Sequence, residues 1–208
     1  SAQGEAQLTE GLCGLEEAPL YVLSLNGTGA VVSNISKDKI RPQREYMLAH
    51  NWAINRMSQV TTLLPASIGN MAPSRQKVDR MLRLNGHRFQ EELERLEGKT
   101  EMGLKVFWEV ENIYQYLTSV HRELAEYRDS IYGNPGGPSH QEKMALGEMF
   151  GAVLERDRED HTMGVMDTLG PYCYEIVEAE DPYGEKMVMN LACLVDRDLK
   201  RYKQGVEE

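Results

Sequence analysis

No apolar run in this chain of 208 residues approaches the roughly 20 that a membrane-spanning helix needs. Nor does it show the short apolar core of a secretory signal, so the expectation is a soluble protein. Cysteine is scarce. Cys13, Cys173 and Cys193 are odd in number, far apart and without CxxC spacing, which argues against a disulfide framework and for a reducing, cytoplasmic setting. Cys193 lies in an apolar run and reads as a small core residue. The signatures of common chemistries are also missing: no HExxH, no zinc-type His/Cys spacing, no GxSxG and no phosphate-binding glycine loop. The glycine-rich stretch Gly133-Asn134-Pro135-Gly136-Gly137-Pro138 is a poor phosphate cradle because its prolines remove amide donors. No catalytic, metal or cofactor-binding residue is nominated, and the expectation is a protein that is not an enzyme.

What is present is acidic and unevenly so. The net charge is −10. Residues 1–98 hold 11 Lys and Arg against 11 Asp and Glu, whereas residues 99–208 hold 12 against 22. An acidic half repels polyanions, so nucleic acid and anionic membranes are poor partners. The neutral half is the better surface for an apolar protein partner, although acidity also serves plain solubility. Hydrophobic residues at 41% and charged residues at 27% are ordinary for a globular chain, and its length suits one large or two small domains.

Periodicity predicts an α+β fold. Residues 20–25 and 29–33 read as strands joined by the hairpin signal Asn26-Gly27. A helix follows from Pro42 to about residue 58, with Tyr46, Ala49, Ala53 and Met57 on one face. A short strand at 60–64, stopped by Pro65, a helix at 74–97 and a strand at 101–108 then form a β-α-β unit. From 109 the pattern turns helical, with a stripe of Ile113, Leu117, Val120, Leu124 and Tyr127. Ser139 and Glu142 have capping-box spacing and open a second long helix, which stops at Gly170-Pro171. Strands at 172–177 and 185–195 flank the β-turn Asp181-Pro182-Tyr183-Gly184, and a final helix follows Asp196. The domain boundary is placed near Gly98, giving domains 1–98 and 99–208.

The five histidines carry no ligand motif. His50 reads as a half-buried hydrogen-bonding residue, and His121 and Glu123, two apart on a helix, face different ways. The charge run Glu155–His161 reads as a solvated face. Methionine is the unusual item, 11 in all. Met144, Met149, Met163 and Met166 lie along the second long helix, and Met71 and Met81 flank the start of the earlier one. Core filling is the default explanation, with adaptable partner contact as the alternative.

The wording of the 60–108 stretch carries more. Leu64-Pro65-Ala66-Ser67-Ile68-Gly69, then Gly98-Lys99-Thr100-Glu101 and Leu104-Lys105-Val106-Phe107-Trp108, resembles the gas vesicle protein F/L family. Ala30-Val31-Val32-Ser33, Ile40-Arg41-Pro42, His50 and the late run Met189-Asn190-Leu191-Ala192-Cys193-Leu194-Val195 extend the similarity to most of the chain. The chain departs from the family at Ile68, where Phe is usual, and neither an additional first strand nor an aromatic, Pro-rich last strand is visible. Ser1–Ala6 lacks an initiator Met and reads as a remnant.

The resemblance implies a ferredoxin-like α+β domain over 1–98 and a domain over 99–208 made of a helical hairpin and a small sheet. It also implies a non-enzymatic, cytoplasmic accessory factor of prokaryotic gas vesicle assembly. Its expected partners are the hydrophobic major shell protein and other gas vesicle accessory proteins, and incorporation as a minor vesicle component is a further possibility. Candidate contact residues are Ile68, Gly69, Met71 and Met81, with Gly69 also expected to hold a backbone conformation that other residues resist. A regulatory α+β protein binding a small ligand is the alternative, on fold analogy.

Overall fold

The computed structural model describes residues 9–37, 39–41, 43–179 and 184–208, and the chain divides into two compact units, Ser1–Gly98 and Lys99–Glu208. Helices and two small antiparallel sheets make it an α+β protein. Ser1–Ala6, Pro42 and the turn residues Asp181, Pro182 and Tyr183 lie outside the described residues.

In the first unit, Asn26 and Gly27 take φ of 50° and 86°. Two positive values in succession give the primed turn whose twist matches that of paired strands. The turn joins β1 (Tyr21–Leu25) to β2 (Thr28–Val32), with Leu25 opposite Thr28 and Tyr21 opposite Val32. Helix α1 (Arg44–Ser58) turns Met57 into the interior and half-buries Tyr46, Ala49 and Ala53, the face its spacing predicts. Helix α2 (Arg75–Leu96) starts after an extended Ser74 and ends before Gly98, whose φ of 71° breaks the helical path. Val78, Leu82 and Phe89 of α2 pack on Leu23 and on Tyr21, Leu25, Ala30 and Val32 of the hairpin.

The strand expected at 60–64 does not form. Val60 and Thr61 donate their amides to the Met57 carbonyl, which closes α1 with a turn, and the chain runs irregularly to Ile68. A β-branched run becomes a strand only beside a partner, and the two strands of this unit are paired with each other. No β-α-β unit is therefore built around α2. Of a ferredoxin-like sheet, the described residues hold the hairpin and the helix that covers it.

The second unit is organised around β5 (Met187–Asp196), the central strand of the order β3-β5-β4. Strand β3 (Lys99–Phe107) pairs along its length, from Lys99 opposite Asp196 to Val106 opposite Met189. Strand β4 (Glu175–Glu178) covers the other edge. It starts three residues later than its composition suggests, because Gly170–Tyr172 is a 3-10 turn. Met189, Leu191, Cys193 and Val195 are essentially fully buried in one cluster with Met102, Leu104 and Val106 of β3. The same cluster takes Leu117 from α3 (Ile113–Val120), Leu124 from α4 (Arg122–Tyr132) and Val153 from α5 (His140–Leu169). Ser139 and Glu142 make the reciprocal capping box at the start of α5. Helix α6 (Lys200–Glu207) closes the unit, with Tyr202 in the same core.

The helical stripe from Ile113 to Tyr127 is corrected in one respect. His121 is extended, at φ −111° and ψ 106°, and splits the segment into α3 and α4. Val120, beside the break, is 52% exposed whereas Leu117 and Leu124 are fully buried.

Leu191→Ala is expected to cost about 2–5 kcal/mol by leaving a cavity at the centre of this core, and Val120→Ala to stay within about 0.5 kcal/mol; urea denaturation of the two variants checks both. The capping box gives a pH test. The Ser139 hydroxyl and then its backbone N–H hold the Glu142 carboxyl below the usual range. Its contribution is therefore present above the ordinary carboxylate range and lost as pH falls through the lowered value. The melting-temperature gap between the wild type and Ser139→Ala should narrow on acidification, measured by thermal melts across the carboxylate range.

Candidate partner-binding surface

The irregular segment after α1 is tied to that helix by a histidine and shaped by a glycine. His50 on α1 lies 2.8 Å through Nε2 from the Ala66 carbonyl, and since a carbonyl only accepts, Nε2 carries the proton. His50 is half-buried and hydrogen-bonded, as its sequence context predicts. Three residues on, Gly69 has φ of 87°, and a Cβ there would stand 3.6 Å from the carbonyl oxygen of the buried Ile40. Space is adequate at Gly69; the backbone conformation is what excludes other side chains.

Between α1 and the pinned segment lies an open groove of about 310 Å³, lined by Met47, His50, Asn51, Ile54, Pro65, Ala66, Ser67 and Ile68. On the outer side of α1, Leu48 is 60% and Trp52 48% exposed. One helical turn separates them, so they stand together on α1, away from the face that lines the groove. Of the sequence candidates, Ile68 lines the groove and Gly69 shapes the segment that carries it. Met71 and Met81 are exposed but are not among the groove's lining residues. Met47, Leu48 and Trp52 escaped the sequence reading. Their signal is present: α1 carries apolar residues on more than the one stripe a surface helix needs.

The second unit holds a polar cluster that sequence spacing did not anticipate. Because the helix breaks at His121, its ring reaches α5, and Nε2 stands 2.7 Å from Oδ2 of Asp157. Arg156 Nη2 stands 3.3 Å from Nδ1 and 3.4 Å from Oε1 of Glu123. A guanidinium only donates, so Nδ1 accepts from Arg156 and Nε2 donates to Asp157. Both ring nitrogens are thereby committed. The run Glu155–His161 is not simply a solvated face: Asp157 and Arg158 have side-chain exposures of 14% and 15%. Arg158 donates to the carbonyls of Met187 and Gly184, each at 3.0 Å, fixing the start of β5. Burial raises the thiols of Cys173, to about 11, and of Cys193, so neither is a thiolate near neutral pH. Among the described residues no group of three or more His, Cys, Asp or Glu side chains converges as a metal site would.

The chain matches the family described as "Gas vesicle synthesis protein GvpL/GvpF" over residues 1–206. It belongs to the GvpL/GvpF family. Relatives named gas vesicle protein F include one from Microcystis aeruginosa, 24% identical with 94% of this chain and 81% of the relative covered. Another, from a Nostoc strain, is 25% identical over 88% of this chain and 75% of its own length. The crystal structure of GvpF from Anabaena sp. PCC7120 shares the fold at a TM-score of 0.79 and 25% identity, covering 94% of this chain and 81% of that one. GvpF from Microcystis aeruginosa gives a TM-score of 0.74 at 24% identity over the same shares.

As a GvpL/GvpF protein the chain is associated with gas vesicles, and its relatives are named as gas vesicle proteins rather than as enzymes. No helix among its described residues is long and apolar enough to cross a membrane. The pinned segment 64–69 builds the groove wall, so its glycine should act through the backbone. Gly69→Val is expected to cost about 1–3 kcal/mol of stability, read as a lower melting temperature. An unchanged melting temperature combined with lost partner binding would instead put Gly69 in the contact surface.

Proposed function

We propose that this chain is a non-enzymatic accessory protein of gas vesicle assembly that works in the cytoplasm and binds the hydrophobic shell protein through α1 and the groove beside it. Other gas vesicle accessory proteins are its further partners. The observation that carries this reading is the exposure of Met47, Leu48 and Trp52 on α1, the helix whose Met47 side walls an open groove. It lies in the unit whose charges balance, 11 against 11. Drying a surface is costly where charges must lose their water, so an apolar partner meets less resistance here than on the acidic unit. Trp supplies contact area with few rotatable bonds, and Met adapts its shape to the partner.

The small-ligand alternative has less support. The groove is open and at the lower end of the size range of ligand sites. Its histidine is already engaged with Ala66. His121 is also a poor general base, since both of its ring nitrogens are occupied.

The test is co-purification of a gas vesicle shell protein with the full-length chain. Leu48→Ser/Trp52→Ser should retain about tenfold less shell protein than the wild type, the scale of losing a binding hot spot, with an unchanged thermal melt. Val206→Ser, an exposed apolar change on the other unit, should retain as much as the wild type. Equal retention by the double variant and the wild type would sink the assignment.

A further inference from the structure

Helix α2 carries charge in an order that its own stability does not explain. Arg75, Lys77, Arg80, Arg83 and Arg88 lie in its N-terminal two thirds against the single acid Asp79, and Glu91, Glu92 and Glu94 follow toward its C-terminal end. No acid stands in its first turn. Cations at a helix N-terminus oppose the helix dipole, so this arrangement weakens the helix locally. Val78, Leu82 and Phe89 fix the inward face on the hairpin. Helical spacing then turns Arg80, Leu84 and His87 outward, with Lys77, Arg83 and Arg88 on the flanks. Leu84, at 71%, is the most exposed large hydrophobic of the described residues, and Met81 beside it is also exposed. The side chains of Lys77, Arg80, Arg83 and Arg88 have no ion-pair or hydrogen-bond partner among the described residues. The result is an unneutralised cationic strip around an apolar knob.

The second unit carries the complement. On α5, Met144, Glu148, Glu155, Glu159 and Met163 recur at intervals of four, seven, four and four residues, which places them on one side of the helix. All five are exposed, and both methionines are more than half so. Glu155 has a partner in Arg158 at 3.5 Å; Glu148 and Glu159 have none among the described residues. This is an acidic strip with an adaptable apolar residue at each end. The cationic stretch 77–88 spans about 17 Å and the acidic stretch 144–163 about 29 Å at the α-helical rise, so the second is long enough to receive the first.

We propose that α2 of one copy docks on α5 of a second copy. Leu84 and Met81 seat between the methionines, and the Arg and Lys side chains pair with Glu148, Glu155 and Glu159. The two surfaces differ, so each copy keeps one of each free and the contact is head-to-tail, generating rings or open chains. A two-helix contact between exposed charges is small, so the association is weak and salt-sensitive. It uses neither the α1 groove nor its apolar face, and so stands or falls apart from shell-protein binding.

Sedimentation velocity on the full-length chain tests it. At low salt the average mass should rise above that of the monomer as concentration increases, and it should return to the monomer at about 0.5 M salt, where charges are screened within a few ångström. Arg80→Ser/Leu84→Ser and Glu148→Ser/Glu159→Ser change only exposed residues and should each stay folded by circular dichroism and monomeric. Mixed together, they should form a one-to-one dimer that grows no further, because each supplies the surface the other lacks. A wild type that stays monomeric at low salt, a mixture that fails to pair, or association that persists in both variants overturns the proposal. So does a monomeric wild type retained on phosphatidylglycerol vesicles through Arg80 and Leu84, which would assign the strip to a lipid surface.

Discussion

The burial of β5 on its inward face sets most of the second unit. Met189, Leu191, Cys193 and Val195 point one way from consecutive alternate positions, and each is at most 1% exposed. Alternation of that kind fixes strand register, since a one-residue slip would turn all four away from the helices at once. Pairing with β3 follows from the same constraint: Met102, Leu104 and Val106 stand opposite Cys193, Leu191 and Met189 and complete the apolar face. Helices α3, α4 and α5 then have one surface on which to lay Leu117, Leu124 and Val153. The polar contacts of Arg158 with the carbonyls of Gly184 and Met187 act at the entrance of the strand, where its ladder begins.

The first unit is held by less. Its buried apolar cluster is Leu23, Val78 and Leu82, with half-buried neighbours around them. Side chains that a larger core would have taken in stand outside, among them Leu48, Trp52 and Leu84. A small interior and a well-furnished exterior go together here. The charge-balanced unit is also the one with apolar residues displayed on two helices. Through its membership of the GvpL/GvpF family, these displays belong to a gas vesicle-related protein.

Much of this was legible in the sequence where one local cause acts alone. The Asn26-Gly27 turn, the capping box of Ser139 and Glu142, the stop at Gly98 and the inward stripe of α1 each follow from a few adjacent residues, and each appears where expected. Errors arose where the outcome depends on a distant partner. Residues 60–64 have strand composition but no neighbouring strand to pair with, so they end α1 in a turn. Nothing in the Ile113–Tyr127 stripe marks the break at His121, because the break is held from 36 residues away by Asp157. The candidate surface was half legible. Ile68 and Gly69 are candidates through the wording of their motif, and Ile68 lines the groove, whereas Leu48 and Trp52 sit on the side of α1 that its inward stripe does not mark. Only a burial pattern distinguishes such a side from a second buried one.

The flanks of the three-stranded sheet have a further consequence. In the order β3-β5-β4, the two outer strands end the ladder among the described residues. Strand β4 is four residues long and bears Glu175 and Glu178, while β3 carries Lys99, Glu101 and Lys105 with Gly103 between them. Short length, alternating charge and a mid-strand glycine all discourage another chain from extending a sheet. An open ladder edge is otherwise a template on which a further strand can add. These edges protect the second unit from being drawn into an extended sheet by another chain.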